Sequence, residues 1–346
     1  MAYPFKILGK LKMGKPIIAE NDRGSGYAIN CKSTSPLNCD VIAIHDRPQP
    51  LSEPIRRFLS SSLSESSQRA YRADLAHFRT SGRDIPCAPA SIAEYLAALA
   101  ETHATATIQR RLAAIAKAHR AAGCDDSTKD EIVTATMRGI RRTMGVAQRE
   151  AQALQRDDLF AILKLMGERP IDIRDKALLL VGFAGAFRRS ELVGLDCADV
   201  EHVRQGVILH LRRSKTDQVG QGRKIAIPHG RTRWCPVQHL TDWFAHGGIE
   251  DGPIFRSIDR HGRIAGQRLS GEAVATIIKK RAAAAGFDPT IFSGHSLRAG
   301  LATSAAMAGA STFKIRQQTG HKSDAMLARY VRQGDMFNDN ATGAVL

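Results

Sequence analysis

Apolar positions fall into two regimes along this chain, and a stretch with neither precedes them. Residues 1–50 mix Gly, Ser, Pro and Asn with no sustained period of 2 or 3.6, which predicts a poorly ordered extension. From Leu51 the pattern turns helical and alanine-rich. Ser64 or Ser66 is placed to cap a helix through Phe78, and Pro89–Ser91 opens a second that carries Tyr95, Leu96 and Leu99. Between Thr105 and Ala122, Ile108, Leu112, Ile115, Ala116 and His119 recur at helical spacing until Gly123 ends the run. Thr143–Gln155 is polar and reads as a linker. Beyond it, Asp157 or Asp158 is placed to cap a helix of Leu159, Ile162, Leu163 and Leu165, and Asp172 or Asp175 to open a strongly apolar helix that ends at Arg188.

The period then drops to 2. Val207, Leu209 and Leu211 alternate with Ile208 and His210, and Ile225 and Ile227 alternate after Arg223-Lys224. The Gly-, Gln- and charge-rich Arg212–Gly222 between them reads as a hairpin turn with Lys215 at its tip. Ser270–Gly286 and Leu297–Ala308 return to helical composition. The expected fold is mainly α with a small antiparallel β-sheet in the second of two domains. The expected segments are an extension at 1–50, a helical domain at 51–142, a linker at 143–155 and a second domain at 156–346.

Length agrees with two domains, since 346 residues exceed one ordinary core. Charge adds a partner. With 50 Lys+Arg against 34 Asp+Glu the formal balance is +16, which suits a polyanion. The Thr105–Ala122 helix concentrates that charge: Arg110, Arg111, Lys117 and Arg120 have no acid among them, whereas a merely solvated face usually interleaves both signs. These four, extended by Arg138, Arg141 and Arg142, are the expected contacts to a DNA backbone. Six cysteines are scattered without CxxC pairs, so reduced thiols are expected rather than a disulfide framework or a zinc finger. Lys6, Lys10, Lys12 and Lys15 interrupt any signal peptide, and the longest apolar run, Ala177–Phe187, is too short to span a bilayer. A cytoplasmic protein with no membrane partner is the expectation.

The chemistry-bearing residues stand in one order: Arg188, Lys215, His295, Arg298, His321 and Tyr330. A phenol with a pKa of about 10 is a poor nucleophile, and a phosphodiester is an anion that repels attack. Two guanidiniums grip non-bridging oxygens and stay charged, while imidazoles and an ammonium supply hydrogen bonds and a transferable proton. Each residue also has a plainer reading. Arg188 or Arg189 could be a cation at a helix C-terminus, Lys215 an exposed turn lysine, His295 a core histidine beside a surface arginine, and His321 a turn residue after Gly320. Glu191 could orient an arginine or be a solvated carboxylate. No Cys pair or HExxH spacing accompanies the histidines, so neither a metal nor another cofactor is expected.

Gly185-Ala186-Phe187-Arg188-Arg189-Ser190-Glu191-Leu192 resembles the first arginine box of the tyrosine recombinase (phage integrase) family. Gly294-His295-Ser296-Leu297-Arg298 resembles its HxxR box, Thr319-Gly320-His321 its second histidine position, and Tyr330 in Ala328-Arg329-Tyr330-Val331 its nucleophile. Agreement in type, order and spacing at four separated sites is specific, where a lone HxxR would not be. The resemblance selects Arg188 over Arg189 and implies that Lys215 protonates the leaving 5′ oxygen. It implies a two-domain DNA clamp that cuts and rejoins double-stranded DNA at inverted half-sites through a covalent 3′-phosphotyrosine. A homotetramer working through a Holliday junction, in a bacterial, phage or plasmid setting, belongs to the same implication. Two other functions compete with it: a type IB topoisomerase-like nicking and resealing enzyme, and a DNA-binding protein without catalysis.

Overall fold

A computed structural model describes residues 52–146, 151–212, 222–321, 323, 327–328 and 330. The expected extension at 1–50, Lys215 and the residues after Tyr330 lie outside them. The chain forms two compact units, Met1–Ala147 and Gln148–Leu346.

The first unit is helical: α1 (Glu53–Ser60), α2 (Glu65–Thr80), α3 (Pro89–Ala100), α4 (Thr105–Ala121) and α5 (Glu131–Met144). Ser64 caps α2 by accepting from the Ser67 N–H, and Asp130 caps α5 by accepting from that of Ile132. Phe78, Tyr95, Leu96, Leu99, Ile108, Ile115, Val133 and Met137 form its core, so the apolar spacing read from the sequence is the buried face. His119 belongs to that core. Its Nε2 accepts from the Cys87 N–H at 3.1 Å and its Nδ1 faces the Ile115 carbonyl at 3.0 Å, which satisfies a fully buried imidazole.

The second unit opens with α6 (Arg156–Lys164), α7 (Pro170–Ala184) and α8 (Arg189–Gly194). An antiparallel three-stranded sheet follows, β1 (Val200–Val203), β2 (Gly206–Leu211) and β3 (Arg223–Pro228), in that spatial order. Then come α9 (Pro236–Gly247), a two-stranded ribbon of β4 (Arg256–Ile258) and β5 (Ile264–Arg268), α10 (Gly271–Ala284), α11 (Ser296–Met307) and α12 (Thr312–Thr319). Val207 pairs with Ile227 and Leu209 with Ile225, so the alternating residues of β2 and β3 turn one face to the core. The strands β1, β4 and β5 went unread because their burial shows no clean alternation.

Three expectations about helix ends and the linker are corrected. Gln155 rather than an aspartate is the N-cap of α6; Asp157 and Asp158 fall in its first turn, where they complement the helix dipole. Asp172 and Asp175 do not open α7, which starts at Pro170; both are buried inside it, each 2.7 Å from the Arg281 guanidinium. The stretch 143–155 is only partly a linker. Met144 ends α5, whereas Gln152 and Leu154 donate backbone hydrogen bonds to Ile291 and Ser296. Leu154 is fully buried, and Gly300 is required against it, since a Cβ at 300 would stand 1.8 Å from the Leu154 carbonyl oxygen. Truncating Leu154 to Ala should cost about 2–5 kcal/mol.

Candidate active site

Arg188 is not the last residue of the apolar helix. α7 stops at Ala184, the chain reverses through Ala186 in a left-handed conformation (φ 49°), and Arg188 becomes the N-cap of α8. Glu191, three residues on and 4% exposed, accepts from the Arg188 backbone N–H at 2.9 Å and from its Nη1 at 2.5 Å. The carboxylate thus fixes both ends of Arg188, and the dipole reading of this arginine is replaced by a guanidinium held at a helix start. Arg189 turns elsewhere, to Glu272.

Arg298 lies in the first turn of α11 and is 3% exposed. Its Nη1 donates to the Ala186 carbonyl at 2.8 Å, which explains the use of the strained reversal: it aims that oxygen at the guanidinium. Its Nη2 is buried with no hydrogen-bond partner among the described residues. Burial, then the neighbouring Arg188, pushes the Arg298 pKa down to about 10, against the opposing pull of Glu191. At neutral pH it stays charged.

His321 follows α12. Gly320 ends that helix in the left-handed conformation, and His321 is buried. The Thr319 hydroxyl donates to the Ile315 carbonyl and lies 2.8 Å from His321 Nδ1. With the hydroxyl proton spent, the imidazole is assigned as the donor at Nδ1, leaving Nε2 with a lone pair. Burial first, then Arg298, Arg188 and Arg223, push its pKa down to about 4, so it is neutral at pH 7. The ring of Tyr330 stands against it, centroids 5.6 Å apart and tilted by 32°. Leu327, Ala328 and Tyr330 are helical, and Leu327 packs with Ala302, Ala306 and Ile315 of α11 and α12.

The structure therefore brings together Arg188, Glu191, Arg298, His321 and Tyr330. His295 is the N-cap of α11, three residues before Arg298, and exposed, with its backbone N–H on Ser293 Oγ. Lys215 is outside the described residues. Arg223, which sequence reasoning passed over as a flanking residue of a strand, stands at this site: it lowers the pKa of both Arg298 and His321. Nothing in its spacing distinguishes it from other polar residues of an alternating strand. No group of three or more His, Cys, Asp or Glu able to hold a metal occurs among the described residues.

The basic residues of the first unit need a correction. Arg110 makes a bidentate pair with buried Asp74 of α2, at 2.8 and 2.9 Å, and Arg111 is itself buried, its Nη1 3.0 Å from His77 Nδ1. The helix carries no acid, but its neighbour α2 supplies one, which the pattern of a single helix could not show. Lys117 is half-buried and its pKa is lowered by desolvation, then by Arg120. Arg120, Arg138, Arg141 and Arg142 are exposed; Arg138 lies 3.5 Å from Glu131, and Arg120 3.9 Å from Asp126.

Comparison with known proteins agrees with the constellation. Residues 152–336 match the model of the phage integrase family. The chain is 40% identical over 301 residues to an integrase/recombinase XerD homolog of Selenomonas ruminantium, covering 84% of this chain and 88% of the relative. It is 27% identical over 281 residues to recombinase Cre of Escherichia phage P1, covering 75% and 79%. Cre is the likeness also read in Thr107-Ile108-Gln109, Ser293–Ser296 and Ala341–Val345, with tryptophan in place of His321 as the departure. In fold it resembles XerH recombinase in a post-cleavage complex with a palindromic substrate (TM-score 0.59, 15% identity, 81% of this chain and 79% of the other). It also resembles a lambda integrase tetramer bound to a Holliday junction (0.57, 18%, 80% and 75%). A guanidinium pair, a neutral histidine and a tyrosine in this order, within a chain so related along most of its length, identify a member of the phage integrase family, a tyrosine site-specific recombinase and so a DNA strand-transferring enzyme.

Proposed function

We propose that Tyr330 attacks a DNA phosphodiester seated on Arg188 and Arg298. The Tyr330 oxygen bonds to phosphorus, the bond to the 5′ oxygen breaks, and a 3′-phosphotyrosine remains. The phenol proton passes to His295, and the leaving oxygen takes its proton from Lys215. Attack by a partner strand's 5′-hydroxyl reverses each step. One phosphoester replaces another throughout, so the cycle demands neither ATP nor a metal. The observation that carries this reading is the buried Nη2 of Arg298. A charged donor removed from water and left without an acceptor is costly, and a phosphate oxygen supplies what it lacks. His321, neutral and against the Tyr330 ring, offers Nε2 as a further group, and entry of the phosphodiester monoanion among the guanidiniums would raise its pKa.

The first unit supplies backbone contacts through its exposed cations, and inverted half-sites occupied by a homotetramer complete the proposed reaction in a bacterial, phage or plasmid setting. The relatives do not favour the topoisomerase-like alternative or the inactive binder. The test is recombination between two marked sites, chosen by selecting bound DNA from random duplexes. Wild-type protein should exchange the markers, and Tyr330→Phe should bind with similar affinity and exchange none. Nicking and resealing without exchange would restore the topoisomerase reading.

A further inference from the structure

Arg223 opens β3, on the hairpin that carries Lys215 and far in sequence from the other motifs of the site, yet its guanidinium sits at the foot of α12. Its Nη1 donates to the carbonyls of Gln318, at 3.0 Å, and Gln317, at 3.3 Å, two of the last acceptors that a helix C-terminus leaves unsatisfied. The turn that follows is built around it. Gly320 adopts φ 67°, and a Cβ there would stand 2.5 Å from Arg223 Nη1 and 2.7 Å from its Cζ. Glycine is therefore needed both for the left-handed turn and for the close approach of the guanidinium. A second tie runs parallel: Gln318 Nε2 donates to the Ala184 carbonyl at 2.8 Å and to that of Ala226 in β3 at 3.2 Å.

We propose that Arg223 is a positioning residue for strand transfer, fastening the end of α12 to β3 and so fixing where His321 stands beside Tyr330. The proposal rests on the reading of Tyr330 and its neighbours as the active site. It extends that reading to a residue that none of the matched motifs contains. A helix of eight residues ending in a glycine turn has little stiffness of its own. Without the guanidinium, Gln318 is the remaining side-chain tie among the described residues from the end of α12 to α7 and β3.

The charge of Arg223 has a separate consequence. His321 is faced by Arg298 from α11, by Arg188 with its Glu191 from α8, by Arg223 from β3, and by Thr319 and Tyr330 from its own end of the chain. Each guanidinium lowers the imidazole pKa, so removing Arg223 should raise it from about 4, whereas Arg223→Lys, which keeps a cation but loses the planar fork, should leave it nearly in place.

The experiment uses full-length wild-type protein, Arg223→Ala and Arg223→Lys. It measures single-turnover formation of the covalent adduct on a nicked trapping duplex, and titration of His321 by NMR with labelled histidine. Arg223→Ala should slow adduct formation on the order of 100-fold, as a displacement of about 1 Å costs. DNA affinity should hold, and the His321 titration should move upward. Arg223→Lys should be slowed less, with the wild-type titration. Adduct formation at the wild-type rate in Arg223→Ala overturns the proposal, and so does a slow Arg223→Ala whose His321 titration is unmoved, since general loosening of the fold would give that result. Should Arg223→Ala fail to fold, Arg223→Lys decides, and a wild-type rate there is fatal to the idea. Failure of the active-site reading is distinguishable: wild-type protein would then give no Tyr330 adduct at all, whatever Arg223 did to the titration.

Discussion

Two arginine groups in this molecule look alike in sequence and differ in what surrounds them. In the first unit, Arg110 and Arg111 converge on buried Asp74, and the pair is closed by hydrogen bonds at 2.8 and 2.9 Å. In the second, Arg188, Arg298 and Arg223 share one facing carboxylate among the described residues, Glu191, and it is already spent on Arg188. The first group puts two guanidiniums on one carboxylate that ties α2 to α4, and Arg111 Nε, like Arg298 Nη2, is buried without a hydrogen-bond partner among the described residues. What sets the second group apart is a third guanidinium and a tyrosine beside it. The second carries a surplus of positive charge around Arg298, which is itself withdrawn from water while Arg188 and Arg223 are partly exposed. A buried guanidinium among cations that outnumber their carboxylate stores a demand for an anion, which in the proposed function a phosphate meets.

The sharpest break in that comparison is Arg298→Ala. If the surplus charge serves the transition state, adduct formation should fall by about 100- to 1,000-fold, the usual cost of losing one preorganised donor, with folding retained. Thermal melting and single-turnover kinetics on the same preparation check it; equal losses in stability and rate would make Arg298 a structural ion like those of the first unit. Asp74→Ala should do the reverse. It strands Arg111 in the core, at a cost of about 3–5 kcal/mol for a broken buried pair, toward the low end because Arg110 is half exposed and solvent screens it. Chemical denaturation should register that loss, while the adduct rate of the folded fraction stays close to wild type.

The smallest effect concerns the cations that remain available to DNA. Lys117→Ala and Arg120→Ala should each flatten the dependence of affinity on salt by about one unit of slope, whereas Arg110→Ala should leave the slope unchanged because its charge is already matched by Asp74. Binding titrations across a salt series would show the difference. Equal flattening by all three would return Arg110 to the DNA-contacting set.

The same contrast explains what was legible in the sequence. Burial of Ile108, Ile115 and Leu209 follows from local period, and Ser64 and Gly320 act through bonds within four residues, so pattern alone finds them. The order Arg188, His295-Ser296-Leu297-Arg298, His321, Tyr330 also stood out as a candidate site, and the structure brings Arg188, Arg298, His321 and Tyr330 of it together. Partners contributed by another element were not. Asp74 lies 36 residues before Arg110, Arg223 lies 95 before the Gln318 carbonyl it caps, and Ala186 lies 112 before Arg298. Whether a cation is neutralised, strained or left in surplus depends on those long-range neighbours. A helical wheel therefore marked Arg111 as a surface residue when it is buried, and the alternation of β3 hid Arg223 among ordinary polar positions.

The central claim is that the surplus charge of the second unit exists to present a phosphate to Tyr330, and the covalent product tests it most directly. Protein incubated with a nicked trapping duplex in the presence of a chelator, then digested and analysed by mass spectrometry, should carry its nucleotide remnant on the peptide that contains Tyr330. The link should run through a 3′-phosphate, and Arg298→Ala should yield little of it. A remnant on another residue, or an adduct that forms only when a divalent metal is restored, would contradict the account.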